Sequence, residues 1–212
     1  MKARTFRDDF NELARSLRAE TQDEDEWTRL VTGALASIAR KHDYHARSKG
    51  FGKGKWDWTE HDGHLVMTGE FKWIDVAYFS RELRYATARV EKRREILARK
   101  RHWKPLAFIE HENEATEEKA IEDFWKVCLF AVPLRVFIGY GTNAQHAEEI
   151  GAKLQSCYGD FEILYPPGAE TLMLMGFKSR DDKDYKWWGT WNCVRLHEGG
   201  AVNNWVALPP VT

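Results

Sequence analysis

The chain has 212 residues, 43% hydrophobic and 31% charged, with a formal net charge of −1. That is ordinary globular composition with enough apolar content for a core, and nothing in it demands a second domain, so residues 1–212 read as one domain. No apolar run approaches the ~18–20 residues of a membrane span. Met1-Lys2-Ala3-Arg4-Thr5-Phe6 runs into charges without an apolar segment, so neither a signal peptide nor a membrane partner is expected.

Cys128, Cys157 and Cys193 are widely spaced and form no CxxC pair, so reduced thiols in a cytoplasmic protein are expected. The charge is unevenly distributed. Arg81–Lys104 holds ten Lys/Arg against three Glu, and Arg40–Lys55 six against one Asp. Acid gathers at Glu20–Glu26 and Glu110–Asp123. Basic segments beside an acidic pocket suit an enzyme that grips phosphates while a metal acts on one of them, although charge runs are also simple solvated faces.

Phe6, Phe10, Leu13 and Leu17 recur at helical spacing and predict an amphipathic helix over residues 5–19. A second helix follows through Trp27, Leu30, Val31, Ala34, Leu35 and Ile38, with Thr21 or Asp23 as its cap and acids in its first turn. His42-Asp43-Tyr44-His45 and His61-Asp62-Gly63-His64 are two HxxH pairs. Without a nearby cysteine they read as surface or loop histidines rather than a zinc site. Between them, Gly50-Phe51-Gly52-Lys53-Gly54-Lys55 is a basic glycine loop running into Trp56-Asp57-Trp58. Lys53 and Lys55 are candidate backbone-phosphate contacts, with aromatics at hand for stacking.

Gly63–Gly69 and Phe71–Phe79 read as a hairpin turning near Gly69-Glu70. Asp75 falls inside the second run, flanked by Ile74, Val76 and Ala77, where a lone carboxylate is costly to bury. Residues 81–102 carry Leu83, Ala86, Val90, Ile96 and Leu97 among many basic residues and predict a long basic helix. Arg93, Arg94, Lys100 and Arg101 on it are candidates to line a nucleic-acid groove. A packing or dimerisation helix with a solvated face explains the same pattern. Pro105-Leu106-Ala107-Phe108-Ile109 then reads as a buried strand ending in Glu110-His111-Glu112. Alternation puts Glu110 and Glu112 on one face and His111 on the other. Asp75 meeting them across neighbouring strands would bring three hard oxygen donors together, a site for Mg²⁺ or Mn²⁺.

An aspartate on one strand, then an acidic-x-lysine triplet at the end of the next, resembles the PD-(D/E)XK nuclease superfamily. Asp75 matches the first position and Glu110 the second. Glu112 stands where the family usually has lysine, a departure that some restriction endonucleases of this fold share. The element order from about residue 23 to residue 140 (helix, three strands, helix, strand) is also similar to the family core. The resemblance implies an α/β fold, a restriction-endonuclease-like mixed central sheet flanked by helices. It also implies metal-dependent cleavage of nucleic acid, DNA ahead of RNA. Asp75 and Glu110 would be metal ligands with the main-chain carbonyl of His111, and Glu112 would hold a second metal or orient the attacking water. The family often has a helix glutamate that reaches the metal, and Glu26 is the candidate, although acids that simply start a helix explain it too. The competing implication is a catalytically inactive nuclease-fold module that binds nucleic acid or a protein partner. A third reading is a purely structural acidic strand end capped by arginines from residues 81–104.

Past the motif, Thr116 is expected to cap a helix running through about Val132, with Ile121, Phe124, Trp125, Cys128 and Leu129 as its core face. Lys126 on this helix resembles the replacement that the family sometimes draws from a neighbouring element when the strand lysine is missing. The plainer alternative is an i, i+4 surface pair of Glu122 with Lys126. Leu134–Gly141 reads as the next buried strand and Asn143–Cys157 as a short helix. Strands at 161–165, 171–178, 187–196 and 204–208 make a β-rich C-terminal extension from about residue 160 to 212, where Trp187, Trp188, Trp191 and Trp205 read as core filling. No sequence feature decides the oligomeric state, and a homodimer is compatible with all of them.

Overall fold

The computed structural model describes residues 1–14, 17, 24–48, 58–61, 64–68, 74–80, 104–158, 168–177, 192–196 and 206–207. Its elements in chain order are α1 (Ala3–Ala14), α2 (Glu24–Lys41), β1 (His45–Ser48), β2 (Trp58–His61), β3 (His64–Thr68), β4 (Val76–Phe79) and β5 (Pro105–His111). They continue with α3 (Glu117–Cys128), β6 (Leu134–Gly141), α4 (Ala144–Tyr158), β7 (Glu170–Phe177), β8 (Asn192–Leu196) and β9 (Val206–Ala207). All nine strands join one mixed sheet in the order β2-β3-β1-β4-β5-β6-β7-β8-β9. The fold is therefore α/β, and β7, β8 and β9 extend the central sheet itself.

Alternation along the strands sorts the core into two layers. Val76, Tyr78, Ala107, Ile109, Val136 and Ile138 face one way, into a cluster with Phe6 and Phe10 of α1 and Trp27, Val31 and Leu35 of α2. Ala77, Phe79, Phe108 and Phe137 face the other way, into a cluster with Phe124 and Val127 of α3 and Ile150 and Leu154 of α4. Both faces are covered, so β6 is buried at every position and carries apolar residues almost throughout. Each fully buried large side chain contributes roughly 1.5–3 kcal/mol.

The helices end for local reasons. Asp43 takes a left-handed φ of 63° after α2, the Tyr44 N–H donates to the Ala39 carbonyl and the Asp43 N–H to that of Arg40. This is a Schellman closure with aspartate in the usual glycine position. Helix α3 stops at Cys128, short of the expected Val132. Leu129 still has helical angles, and Pro133 lies just ahead of β6. Thr116 sits at the N-cap but makes no cap hydrogen bond; its hydroxyl reaches Glu114 Oε1 at 3.4 Å instead. A Cβ on Gly141 would lie 2.3 Å from the Ala147 nitrogen, so α4 packs backbone-on-backbone against the end of β6.

One pairing expected from sequence does not form. Strands β3 and β4 are not a hairpin: β1 lies between them, parallel to β3 and antiparallel to β4. The hairpin partner of β3 is β2, in a register that sets His61 opposite His64. Alternation found β3 and the 76–79 part of the second run, but it did not find β1 (His45–Ser48) or β2 (Trp58–His61), which take in His45 and His61, expected on the surface or in loops. The expected strand at 161–165 and the helix over 81–102 lie outside the described residues.

Candidate active site at the end of strand β5

Strands β4 and β5 are antiparallel with Val76 opposite Ile109, and one further step of that register sets Asp75 against Glu110. Asp75 occupies a half-buried bend just before β4 rather than the middle of a strand. Its N–H donates to Glu110 Oε1 at 3.3 Å, and the His111 N–H donates to Asp75 Oδ2 at 3.0 Å. The Glu110 carboxyl is thus held by the Asp75 backbone, and the Asp75 carboxylate by the backbone of His111, the residue after Glu110.

Glu110 is 1% exposed and projects towards α3. There Lys126 Nζ lies 3.1 Å from Glu110 Oε2 and 2.8 Å from Asp123 Oδ1. Both are charge contacts without hydrogen-bond alignment, since neither oxygen has an aligned donor among the described residues. The alternative partner of Lys126 is engaged elsewhere, because Glu122 Oε2 accepts from Lys119 at 3.1 Å. Asp123, 4% exposed, also lies 3.6 Å from Lys119 Nζ.

Glu112 leaves the strand on the same side as Glu110. Its Oε1 accepts the Glu114 N–H at 2.7 Å, and its carboxyl lies beside that of Asp123. Burial and the Asp123 partner push the Glu112 carboxyl up, while Asp123 is held low, against its own burial, by Glu112 and Lys126.

Asp75, Glu110, Glu112 and Asp123 face the two ammonium groups of Lys119 and Lys126. Burial, with the Asp75 charge, pushes Glu110 up to about 9, and the charge of Lys126 does not offset this. Lys126 itself is held well above the usual lysine range: burial opposes its charge, but Asp123 and Glu110 together outweigh burial.

His111 points to the opposite layer. Its Nε2 lies 2.8 Å from the Tyr140 hydroxyl, which also accepts the Trp27 Nε1–H at 3.0 Å. Nε2 and this hydroxyl share one hydrogen bond, and Nδ1 has no partner among the described residues. Burial depresses this imidazole to about 3 and keeps it neutral. As a metal ligand His111 has only its main chain to offer. Glu26 is half-buried in the first turn of α2, on the layer that receives His111 rather than Glu110. Asn113 Nδ2 donates to Thr28 Oγ1 and draws that helix turn to the strand end.

Lys53, Lys55, Arg93, Arg94, Lys100 and Arg101 lie outside the described residues. The strand ends that lead to them do differ. Ser48, the last residue of β1, pairs with Val76 beside Asp75. Ser80 and Lys104, which flank the basic segment 81–103, are bonded at the other end of β4, with the Ser80 N–H on the Lys104 carbonyl at 3.1 Å. Asp123 and Lys119 went unnoticed in the sequence. Their signal was the Lys119-x3-Asp123-x2-Lys126 spacing, which lines up one helix flank.

Among the described residues no three His, Cys, Asp or Glu side chains converge as a complete metal-binding group. The donor set does suit a cation that keeps most of its water. Mg²⁺ is commonly held by one or two carboxylates plus substrate phosphates, and here two adjacent carboxylates include a buried oxygen with no aligned donor. No family model, curated protein or solved structure matches the chain.

Proposed function

We propose that this protein is a metal-dependent nuclease that hydrolyses phosphodiester bonds, in DNA ahead of RNA, with Mg²⁺ or Mn²⁺ held by Asp75 and Glu110. The observation that carries this reading is the joining of Asp75, buried Glu110 and Lys126 at one strand end. The element order supports a restriction-endonuclease-like core. Helix α2, strands β1, β4 and β5, helix α3 and strand β6 come in that order, with β2 and β3 inserted between β1 and β4; β1, β4 and β5 run antiparallel and β5 parallel to β6.

A bound divalent cation supplies a lowered pKa for the attacking water and positive charge beside the phosphate. In this reading the Lys126 ammonium, 27% exposed, neutralises charge developing on the phosphate oxygens. Glu112 orients the attacking water. Lys53 and Lys55 grip the backbone. No helix among the described residues is long and apolar enough to cross a membrane, and the reading requires none.

A second reading is favoured by a specific observation: Lys126 already pairs with Glu110, and the described side chains form no three-ligand group. A nuclease-fold module that binds nucleic acid or a protein without cutting would look like this. Calorimetric titration of Mg²⁺ and Mn²⁺ into the wild type and Asp75→Ala, alone and with a DNA duplex, separates the two. Binding that is present in the wild type and lost in the variant supports the nuclease. No binding even with the duplex leaves the non-catalytic module.

A further inference from the structure

We infer that Asp123 is a positioning residue, a buried carboxylate that fixes the Lys126 ammonium over Glu110 so that one N–H remains for a phosphate oxygen. The inference rests on the nuclease reading for the identity of that oxygen. The positioning itself rests on geometry.

A lysine drawn from a helix reaches its site on a flexible four-carbon stem and needs something to hold it there. Asp123, one turn earlier on α3, lies closer to Lys126 Nζ than Glu110 does, at 2.8 Å against 3.1 Å. Asp123 is itself fixed. It is 4% exposed on the buried flank of α3, beside the strand end that carries Glu112. Lys119 is a weaker rival for it, at 3.6 Å and already bonded to Glu122. An ammonium has three N–H groups, and with carboxylates at 2.8 and 3.1 Å the Lys126 ammonium still keeps 27% exposure, the side from which a phosphate oxygen would approach.

Acylation of Lys126 in the folded protein, read by peptide mass spectrometry with an amine-reactive acetyl ester, tests the holding. Asp123→Ala and Asp123→Asn are compared with the wild type and with Glu122→Ala. Acylation is expected to rise several-fold in Asp123→Ala, less in Asp123→Asn, which keeps an acceptor oxygen, and not at all in Glu122→Ala. Plasmid cleavage with Mg²⁺ gives the second readout. There kcat is expected to fall about 10- to 100-fold in Asp123→Ala, with KM and the Mg²⁺ requirement near wild type.

Unchanged acylation in the Asp123 variants overturns the inference, as does a wild-type kcat in a folded Asp123→Ala with only a lower Tm. Raised acylation together with a wild-type protein that cuts no DNA or RNA keeps Asp123 as the holder of Lys126. That outcome removes the nuclease reading alone.

Discussion

Lys126 on helix α3 and Glu110 on strand β5 meet at 3.1 Å, with the glutamate buried to 1% exposure. A lysine from one element and a carboxylate from another thus restore a pairing that the Glu110-His111-Glu112 triplet lacks within itself. The contact leaves Glu110 short of positive charge, because Asp123 holds the same ammonium more closely.

On the nuclease reading, stability and metal binding are opposed at Glu110. Glu110→Gln removes a carboxyl that the fold must take up in its protonated form, while leaving Lys126 its Asp123 partner. The metal-free variant is expected to equal or exceed the wild type, by on the order of 1–2 kcal/mol in urea denaturation, and to lose Mg²⁺ binding. A clear loss of stability would show that the ion pair outweighs burial.

The same imbalance sets a pH dependence. Burial and Asp75 raise Glu110 from 4.5 in the unfolded chain to about 9 in the fold. The folded state therefore holds this proton more tightly than the unfolded one. Its contribution is complete below about pH 4.5 and is lost as pH rises towards 9. Tm of the metal-free protein is expected to fall across that window, and Mg²⁺ to restore more of it at each step up in pH. Glu110→Gln should flatten the slope. An equal slope in the variant would assign the effect to another group.

How much of this was legible in the sequence follows from what alternation and helical spacing can encode. Strands β5, β6 and β7 stood out because a strand covered on both faces is a nearly unbroken apolar run. The opposite orientations of Glu110 and His111 follow from strand alternation alone. Strand β1 was not expected at all, because four residues, His45–Ser48, are too short to show a period, and its place between β3 and β4 depends on long-range pairing. Asp123 was missed for a different reason: an acid between two lysines on a helix looks like a solvated flank until the strand end beneath it is known.

Far from the site, Asp9 on α1 ties that helix to the end of α2. It meets Lys41 Nζ at 2.7 Å and His42 Nε2 at 2.5 Å, while His42 stacks on Tyr44. Burial alone would raise the Asp9 carboxyl, but the bonds from Lys41 and His42 outweigh it and hold it below 3.8. With its pKa depressed, its contribution is complete above the unfolded value and is lost as pH falls through the folded one. Asp9→Ala is expected to cost about 1.5–3 kcal/mol near neutral pH and to weaken the acid limb of the stability curve. Thermal melts from pH 2 to pH 7 read both effects.

Gly141 tests the packing of α4 directly. A methyl group there would meet the Ala147 backbone at 2.3 Å. Backbone cannot yield as a side-chain tip can, so Gly141→Ala is expected to cost about 1–3 kcal/mol. Denaturant unfolding that shows no change would mean that the helix end moves freely.

The central claim is that Asp75 and Glu110 together hold the metal that cuts a phosphodiester. The most direct measurement is the cleavage rate of circular and linear DNA as Mg²⁺ is raised from zero, in the wild type and in Asp75→Asn. Cleavage that appears with Mg²⁺ in the wild type and falls by at least about 100-fold in the variant is the expected result. Cleavage at the same rate in Asp75→Asn would place the chemistry elsewhere, and none in the wild type at any Mg²⁺ or Mn²⁺ level would contradict the nuclease reading.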